Sequence, residues 1–455
     1  MIANKPIKNI VIVGGGAAGW SAAVGLARGL HGSDVNITVI DADAAFEPAI
    51  TLASEHIHDF HKLIGIRDEQ LFKSGIAQPW IARRFYGNKG ECYLGNDVEM
   101  PKLGALNLHQ LVSVSGGDLS TCSLAATAAR RQIFAMPQGD SPASFRTGYI
   151  LHTHKYCDFL RGAAKHLNVR SVVASVATVE CQSDTGFIEA LTCKDGTRLE
   201  IDLVIDHSNS AEVLWRNHLP PAITSTHLPA LLRFAERAAG PARQGDPAVT
   251  FTRLANGWQQ KVQAFGQTLL AEYCVDADGR GPPLATGVLA TPFYKNTLAI
   301  GMRAGFSAPP SVSVLNLAQR AVAKLLDYFP GTLCVAANTT ALNTELQQDQ
   351  REAEDYLALL WQLTDSLQES AETVLPSVSR VLQQKQALFA SSGRVGSQLN
   401  PLITEQMWIN ALWYALGELR GIDPLAYMAP NADIEAFISR HQAHIQQQLA
   451  RLQTR

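Results

Sequence analysis

A short apolar run, Ile10 to Val13, leads into Gly14, Gly16 and Gly19 and then into a helix-forming stretch. A second apolar run, Val35 to Ile40, ends at Asp41. Unbroken apolar runs of strand length on either side of a helical pattern predict strands buried on both faces, joined as a βαβ unit. Farther along, residues 55–73 read as mainly helical, and residues 86–118, rich in Gly, Asn and Asp, read as irregular loop. Phe145 to Ile150 reads as extended and Tyr156 to His166 as helix. Val172 to Thr178, Phe187 to Thr192 and Leu199 to Ile205 have strand character, with Lys194-Asp195-Gly196 as a turn. Strand character returns over residues 249–275, and Asn296 to Ile300 is a strand running into glycines. Leu315 to Tyr328 predicts a helix that stops before Pro330, and from Glu345 the pattern is helical to a polar, fraying end at Gln446 to Arg455.

The first three glycines have GxGxxG spacing. The first allows a tight turn, the second a close approach of a diphosphate to the backbone, and the third close packing of helix on strand. The free N–H groups at the helix start then face an anion. GxGxxG by itself is a weak signal, but here strand, glycines, helix and acid agree. Asp41 stands at about the ~20-residue spacing of the acid that binds a ribose hydroxyl. Ser115-Gly116-Gly117-Asp118 has no preceding strand, so the chain is expected to hold one dinucleotide.

At 455 residues, 46% of them hydrophobic, the chain can bury a large core. A net charge of −3 gives no reason to expect nucleic acid or an anionic membrane as partner. Seven cysteines, an odd number without a CxxC, fit reduced thiols in a cytoplasmic protein. Lys5 and Lys8 ahead of an apolar stretch imitate a secretion signal, but Arg28 interrupts it and the glycines fall where a βα turn needs them. The segment is therefore read as structure, and no membrane span is expected.

FAD and NAD both suit the first motif. Asn296 to Phe306, a strand, a glycine and a helix-like segment, favours FAD. In FAD-binding folds with a returning insertion, such a late strand carries backbone N–H groups to the flavin side of the diphosphate. Gly301 and Met302 are the expected contacts.

At these residues the chain resembles the flavin-dependent tryptophan halogenases over nearly its whole length. Gly14 to Trp20 is similar to their GGGxAGW opening, and Asp158-Phe159-Leu160 to the segment that re-enters the cofactor domain. Asp202 to Ser208 resembles their ADLxIDCSG, and Ala299 through Pro309 to Phe329-Pro330 follows their AIG…F…PLES…FP block. Asp423-Pro424-Leu425 resembles their C-terminal helical region. The resemblance implies an α/β protein with a Rossmann-like FAD-binding fold of the GR2, flavin-monooxygenase-like type. A discontinuous FAD module would comprise residues 1–50, 145–210 and 290–330. An inserted substrate or channel region would span 51–144 and 211–289, with a helical C-terminal region over 331–455.

It also implies that FAD, reduced by a separate flavin reductase, activates oxygen. Halide is then oxidised to hypohalous acid, which passes through a channel to a lysine beside a small aromatic or indole-like substrate, where a glutamate assists. Gly14, Gly16, Ala17, Ala18 and Gly19 would hold the diphosphate and Asp41 the adenosine ribose. A homodimer is a further implication.

The chemistry-bearing positions depart from this pattern. GWxWxIP reads Gly257-Trp258-Gln259-Gln260-Lys261-Val262-Gln263, keeping one tryptophan, Trp258, which is expected to face the channel. PLES reads Pro309-Pro310-Ser311-Val312, so the glutamate is Ser311, and a hydroxyl cannot replace a carboxylate as base. The halide site, made of backbone N–H groups, would fall at Ser313 and Val314. For the lysine, an ungapped reading between Leu63-Ile64-Gly65-Ile66 and Phe85 gives Trp80, and a gapped one gives Lys73 in Phe72-Lys73-Ser74-Gly75-Ile76. The ungapped reading keeps both flanks in register and is preferred. GxGE[AS]T, near the flavin, reads Pro48-Ala49-Ile50-Thr51-Leu52-Ala53, without its glycines. These losses weigh against halogenation. Oxygenation or oxidation without halide, and flavin binding without turnover, are the alternatives.

Glu55, His56, His58, Asp59 and His61 form a polar cluster in which His58 and His61 have i,i+3 spacing; an exposed helix face is preferred to a metal site. Arg83 and Arg84 are expected at the surface, His152 and His154 satisfied locally, and His207 near the cofactor without a catalytic role.

Overall fold

A six-stranded sheet lies at the centre of the computed structural model, in the order Arg170–Val172, Asn36–Ile40, Asn9–Val13, Leu203–Asp206, Thr297–Ala299, Phe293–Tyr294. The first five strands are parallel and the last is antiparallel. Residues 4–42, 46–87, 90–134, 145–208, 214, 222–224, 231–242, 246–254, 256–275, 282–363, 378–396 and 400–453 are described; Thr454 and Arg455 of the polar end lie outside them.

The unbroken apolar run at the start has a simple cause. Ile10 and Ile12 pack against the first helix, Gly16–Gly29, on one face of the sheet. Val11 and Val13 pack on the other face against a three-stranded antiparallel sheet, Val176–Cys181, Ile188–Cys193 and Arg198–Glu200. Both faces are covered, so the four buried positions, Ile10 to Val13, are all apolar. Behind the first helix lie the helices Thr153–His166 and Val314–Asp327.

A seven-stranded sheet, in the order Pro283–Ala285, Leu231–Pro241, Gln267–Cys274, Gly257–Ala264, Ala248–Leu254, Ala82–Gly87, Gly90–Gly95, forms the second body of the fold. Its core includes side chains from the helices Ala336–Gln362, Arg380–Ser392 and Glu405–Leu416. A small antiparallel sheet, Ile50–Ala53, Gly148–His152 and Ala77–Trp80, joins the two bodies. Ile50, Leu52 and Trp80 belong to the core of the second body, whereas Ala53, Ala77 and Leu151 belong to that of the first.

Several expected elements differ. Residues 86–118 are not irregular. Ala82–Gly87 pairs with Gly90–Gly95 as a hairpin, and Leu108–Ser115 is a helix. The helix has a reciprocal cap between Asn107 and Gln110 and ends at Gly116 in the left-handed region (φ 67°), so the polar and glycine residues that suggested loop are its terminators. The strand expected over Val172 to Thr178 is two, one in the parallel sheet and one in the three-stranded sheet. The long helix begins at Ala336, ahead of Glu345. None of the seven cysteines forms a disulfide. Among the described residues no helix is long and apolar enough to cross a membrane.

Candidate functional site

The parallel strands end together. Val13 is level with Ile40 and Asp206, and Asp206 with Ala299, so Gly14, Asp41, His207 and Gly301 follow at one edge of the sheet. Ligands of open parallel sheets bind at this edge. Gly14 (φ 93°) and Gly16 (φ 70°) adopt left-handed conformations. A Cβ on Gly14 would run into the His207 carbonyl, and one on Gly19 into the Gly14 carbonyl. The turn therefore needs glycine at each of these positions.

An anion already lies at the mouth of that turn. Ala17 N–H donates to Glu47 Oε1 (2.8 Å) and Oε2 (2.9 Å), and Ala18 N–H to Oε1 (3.2 Å). The helix N-terminus thus holds a carboxylate where a diphosphate oxygen would be held, and in this respect the cradle fits an anionic cofactor. His207 Nε2 lies 3.4 Å from Glu47 Oε1. Its ring is 1% exposed, and neither ring nitrogen has a hydrogen-bond partner. Asp41 accepts from Trp20 Nε1 (3.2 Å) and pairs with Arg161 (3.1 Å), whose guanidinium lies over the Trp20 ring.

A cavity of about 70 Å³ runs from this turn. Ala17, Ala18, Glu47, His207, Met302, Ser313 and Val314 are among the residues that line it. Gly301 (φ 63°) packs its backbone against the His207 ring. Ser313 caps the helix Val314–Asp327 and donates to Asn316 Oδ1 (2.8 Å), which also accepts from Ser54 N–H (2.9 Å). Gln260, at the position of the second tryptophan of GWxWxIP, is buried and lines the same cavity with its Oε1 unpartnered.

A second cavity, of about 10 Å³, has room for roughly one water. Trp80 and Ser311 both line it, with Arg83 and Ser54. The Ser311 hydroxyl donates to the Ala353 carbonyl (2.8 Å). Trp80 is 2% exposed and its indole N–H has no partner. Lys73, by contrast, is exposed in the last turn of the helix Asp68–Lys73. Trp258 is buried, stacked on Tyr273 (5.0 Å between centroids) and edge-on to Trp361 (4.9 Å).

The surface reading of the two arginines is corrected. Arg83 is 3% exposed; its Nε donates to the Pro310 carbonyl (2.8 Å) and its NH1 to Asn96 Oδ1 (3.3 Å). Arg84 pairs with Asp246 (2.8 Å) and Thr250. The exposed-face reading of the histidine cluster also changes. Asp68 accepts from Nδ1 of His58 and of His61, each at 2.7 Å, and His61 Nε2 meets the Tyr156 hydroxyl (2.9 Å). Burial opposes ionisation of Asp68, but the hydrogen bonds from His58 and His61 outweigh it and hold the carboxyl well below its usual range. For His58 burial is likewise outweighed, by Asp68, and the pKa rises; for His61 burial prevails and the pKa falls.

Glu47 escaped the sequence reading. Its one available signal is position: an acid a few residues beyond the Asp41 strand end, close to where a nucleotide-binding segment would pass. Glu236, whose carboxylate accepts from Ala49 N–H (2.8 Å) and Ile50 N–H (3.1 Å), gave no signal, because its partners are remote in sequence.

A family model described as "Tryptophan halogenase" matches residues 9–268 and 263–431. Solved structures agree in fold. BrvH, a flavin-dependent halogenase from Brevundimonas sp. BAL3, is 21% identical with a TM-score of 0.86, over 98% of this chain and 97% of that one. SttH, a tryptophan 6-halogenase from Streptomyces toxytricini, is 17% identical with a TM-score of 0.84, over 98% of both chains. A tryptophan halogenase from Shewanella frigidimarina NCIMB 400 is 19% identical with a TM-score of 0.81, over 99% of this chain and 95% of that one.

Proposed function

Because the chain belongs to the tryptophan halogenase family, whose members are flavin-dependent and use FAD, we propose that it is an FAD-dependent oxidoreductase without the family's lysine–glutamate chemistry. It takes FAD reduced by a separate flavin reductase and acts with O2 on a small aromatic or indole-like compound. One observation carries this reading: Trp80 and Ser311 line one cavity, next to Arg83, and among the described residues no lysine or carboxylate lines it.

The bound reduced flavin supplies the electrons for oxygen. The rest falls to the chain. Gly14, Gly16 and Gly19 shape the turn, and the Ala17 and Ala18 N–H groups would hold the diphosphate. Asp41 would accept from the adenosine ribose, and Gly301 and Met302 would contact the flavin. Ser313 and Val314, at the N-terminus of the helix Val314–Asp327, also line the cavity, and their backbone is the place a halide would take. The Arg83 guanidinium offers donors and no acceptor, so it cannot act as a base. The Ser311 hydroxyl, engaged with Ala353, cannot replace a carboxylate.

The test supplies FAD, a flavin reductase, NADH, bromide and a panel of indoles, with products read by mass spectrometry. A product that gains one oxygen and no bromine is expected. A brominated product overturns the reading. A second reading, flavin binding without turnover, is favoured by the size of the cavity at Trp80, which admits no aromatic ring; it predicts peroxide as the sole product.

A further inference from the structure

We infer that Glu47 is a built-in competitor for the diphosphate site, and that it sets the affinity of this chain for FAD. The inference rests on the reading that FAD binds at the glycine turn. The carboxylate takes the Ala17 and Ala18 donors at 2.8–3.2 Å, the same donors a diphosphate oxygen requires. One helix N-terminus cannot satisfy two anions at once, and two anions side by side repel.

The contact is held from both sides. Beyond Glu47, the carboxylate of Glu236 clamps the Ala49 and Ile50 N–H groups, and before it the Phe46 ring packs edge-on against Phe234 (5.2 Å between centroids). Phe46, Glu47 and Pro48 all line the cavity, and with them in place it measures about 70 Å³, below the ~300 Å³ at which pockets for small molecules begin. His207 gives an independent sign that the site awaits a ligand. It is 1% exposed, lines the cavity and has no hydrogen-bond partner on either nitrogen. Glu47 is its nearest anion, at 3.4 Å. Entry of FAD therefore requires Glu47 to swing out of the turn, and the incoming diphosphate takes over both the helix donors and the imidazole. Glu47 is 21% exposed on its side chain, so the route outward is short.

The experiment titrates FAD, ADP and riboflavin into the purified full-length chain and its variants, reading flavin fluorescence and, for ADP, heat. Glu47→Gln and Glu47→Ala are each expected to tighten FAD and ADP by ~10-fold or more, because charge-assisted bonds no longer have to break. Riboflavin, which carries no phosphate, is unchanged. Glu236→Gln, which leaves Glu47 intact and loosens its segment, moves FAD affinity in the same direction. Equal FAD affinity in wild type and both Glu47 variants, with normal thermal melts, overturns the inference and leaves the FAD reading standing. An equal gain for riboflavin also overturns it, since the effect then lies in cavity volume. Failure of every form to bind FAD overturns both.

Discussion

The Arg83 guanidinium lies 4.8 Å from the centroid of the Trp80 indole, and both side chains are almost wholly withdrawn from water. The cation is held by the Pro310 carbonyl, and among the described residues no carboxylate lies within 4.0 Å of it. The indole face is therefore part of what makes a buried charge tolerable here. Trp80→Lys removes that face and puts a second cation beside the first. The variant is expected to lose about 3–5 kcal/mol in urea unfolding and to form no brominated product. A stable, brominating Trp80→Lys protein would show that the site is one residue away from the lysine chemistry.

Lys73 is exposed, and the ungapped register gives it no part in the site. Lys73→Ala is expected to leave flavin-dependent oxygen uptake and product yield within error of wild type. A loss of tenfold in either would restore the gapped alignment.

The Asp68 carboxylate joins His58 and His61, and its effect on stability depends on pH. His58 has a folded pKa above its ordinary 6.5, so its contribution is complete below pH 6.5 and is lost as pH rises through the raised value. The depressed pKa of Asp68 acts at the other end: its contribution is present above 3.8 and is lost as pH falls through the depressed value. The advantage of wild type over Asp68→Asn, about 1–3 kcal/mol, is expected to be larger at pH 6 than at pH 8.5. Proton NMR should show the His58 pKa falling in the variant. An advantage that grows toward pH 8.5 would contradict the assignment.

Asp97 is a buried acid in another setting. Burial pushes its pKa up to about 6, against the hydrogen bonds from Ser123 and Ala125. A folded pKa above the ordinary 3.8 means that the native state binds the extra proton between those values, so stability falls as pH rises from about 4 to about 6. Asp97→Asn removes this dependence. The stability of wild type relative to the variant should drop by about 2 kcal/mol over that range, measured by denaturant unfolding at each pH.

What could be read in the sequence was what is local. Ile10 to Val13, Gly14, Gly16 and Gly19 declare a strand and a turn because backbone sterics alone constrain them. The register that put Trp80 at the lysine position was read from its two matching flanks, and in the structure Trp80 and Ser311 line one cavity. What escaped was what remote partners decide. Gly90–Gly95 looked like loop because the strand it pairs with, Ala82–Gly87, is itself held in the sheet by Ala248–Leu254, far along the chain. Arg83 looked like surface because its acceptors, Pro310 and Asn96, come from two other segments. His61 is buried because Asp68 and Tyr156 satisfy both ring nitrogens, and neither partner is implied by the His58 and His61 spacing.

The carboxylate at the start of the first helix has one more consequence, for the life of the protein between encounters with cofactor. A pole of positive potential left bare would make the empty form fragile and its survival dependent on flavin supply. Here the empty form is already neutralised from within. At a given flavin concentration the melting temperature should accordingly rise less than in Glu47→Gln, and the chain can stand folded and vacant until cofactor arrives.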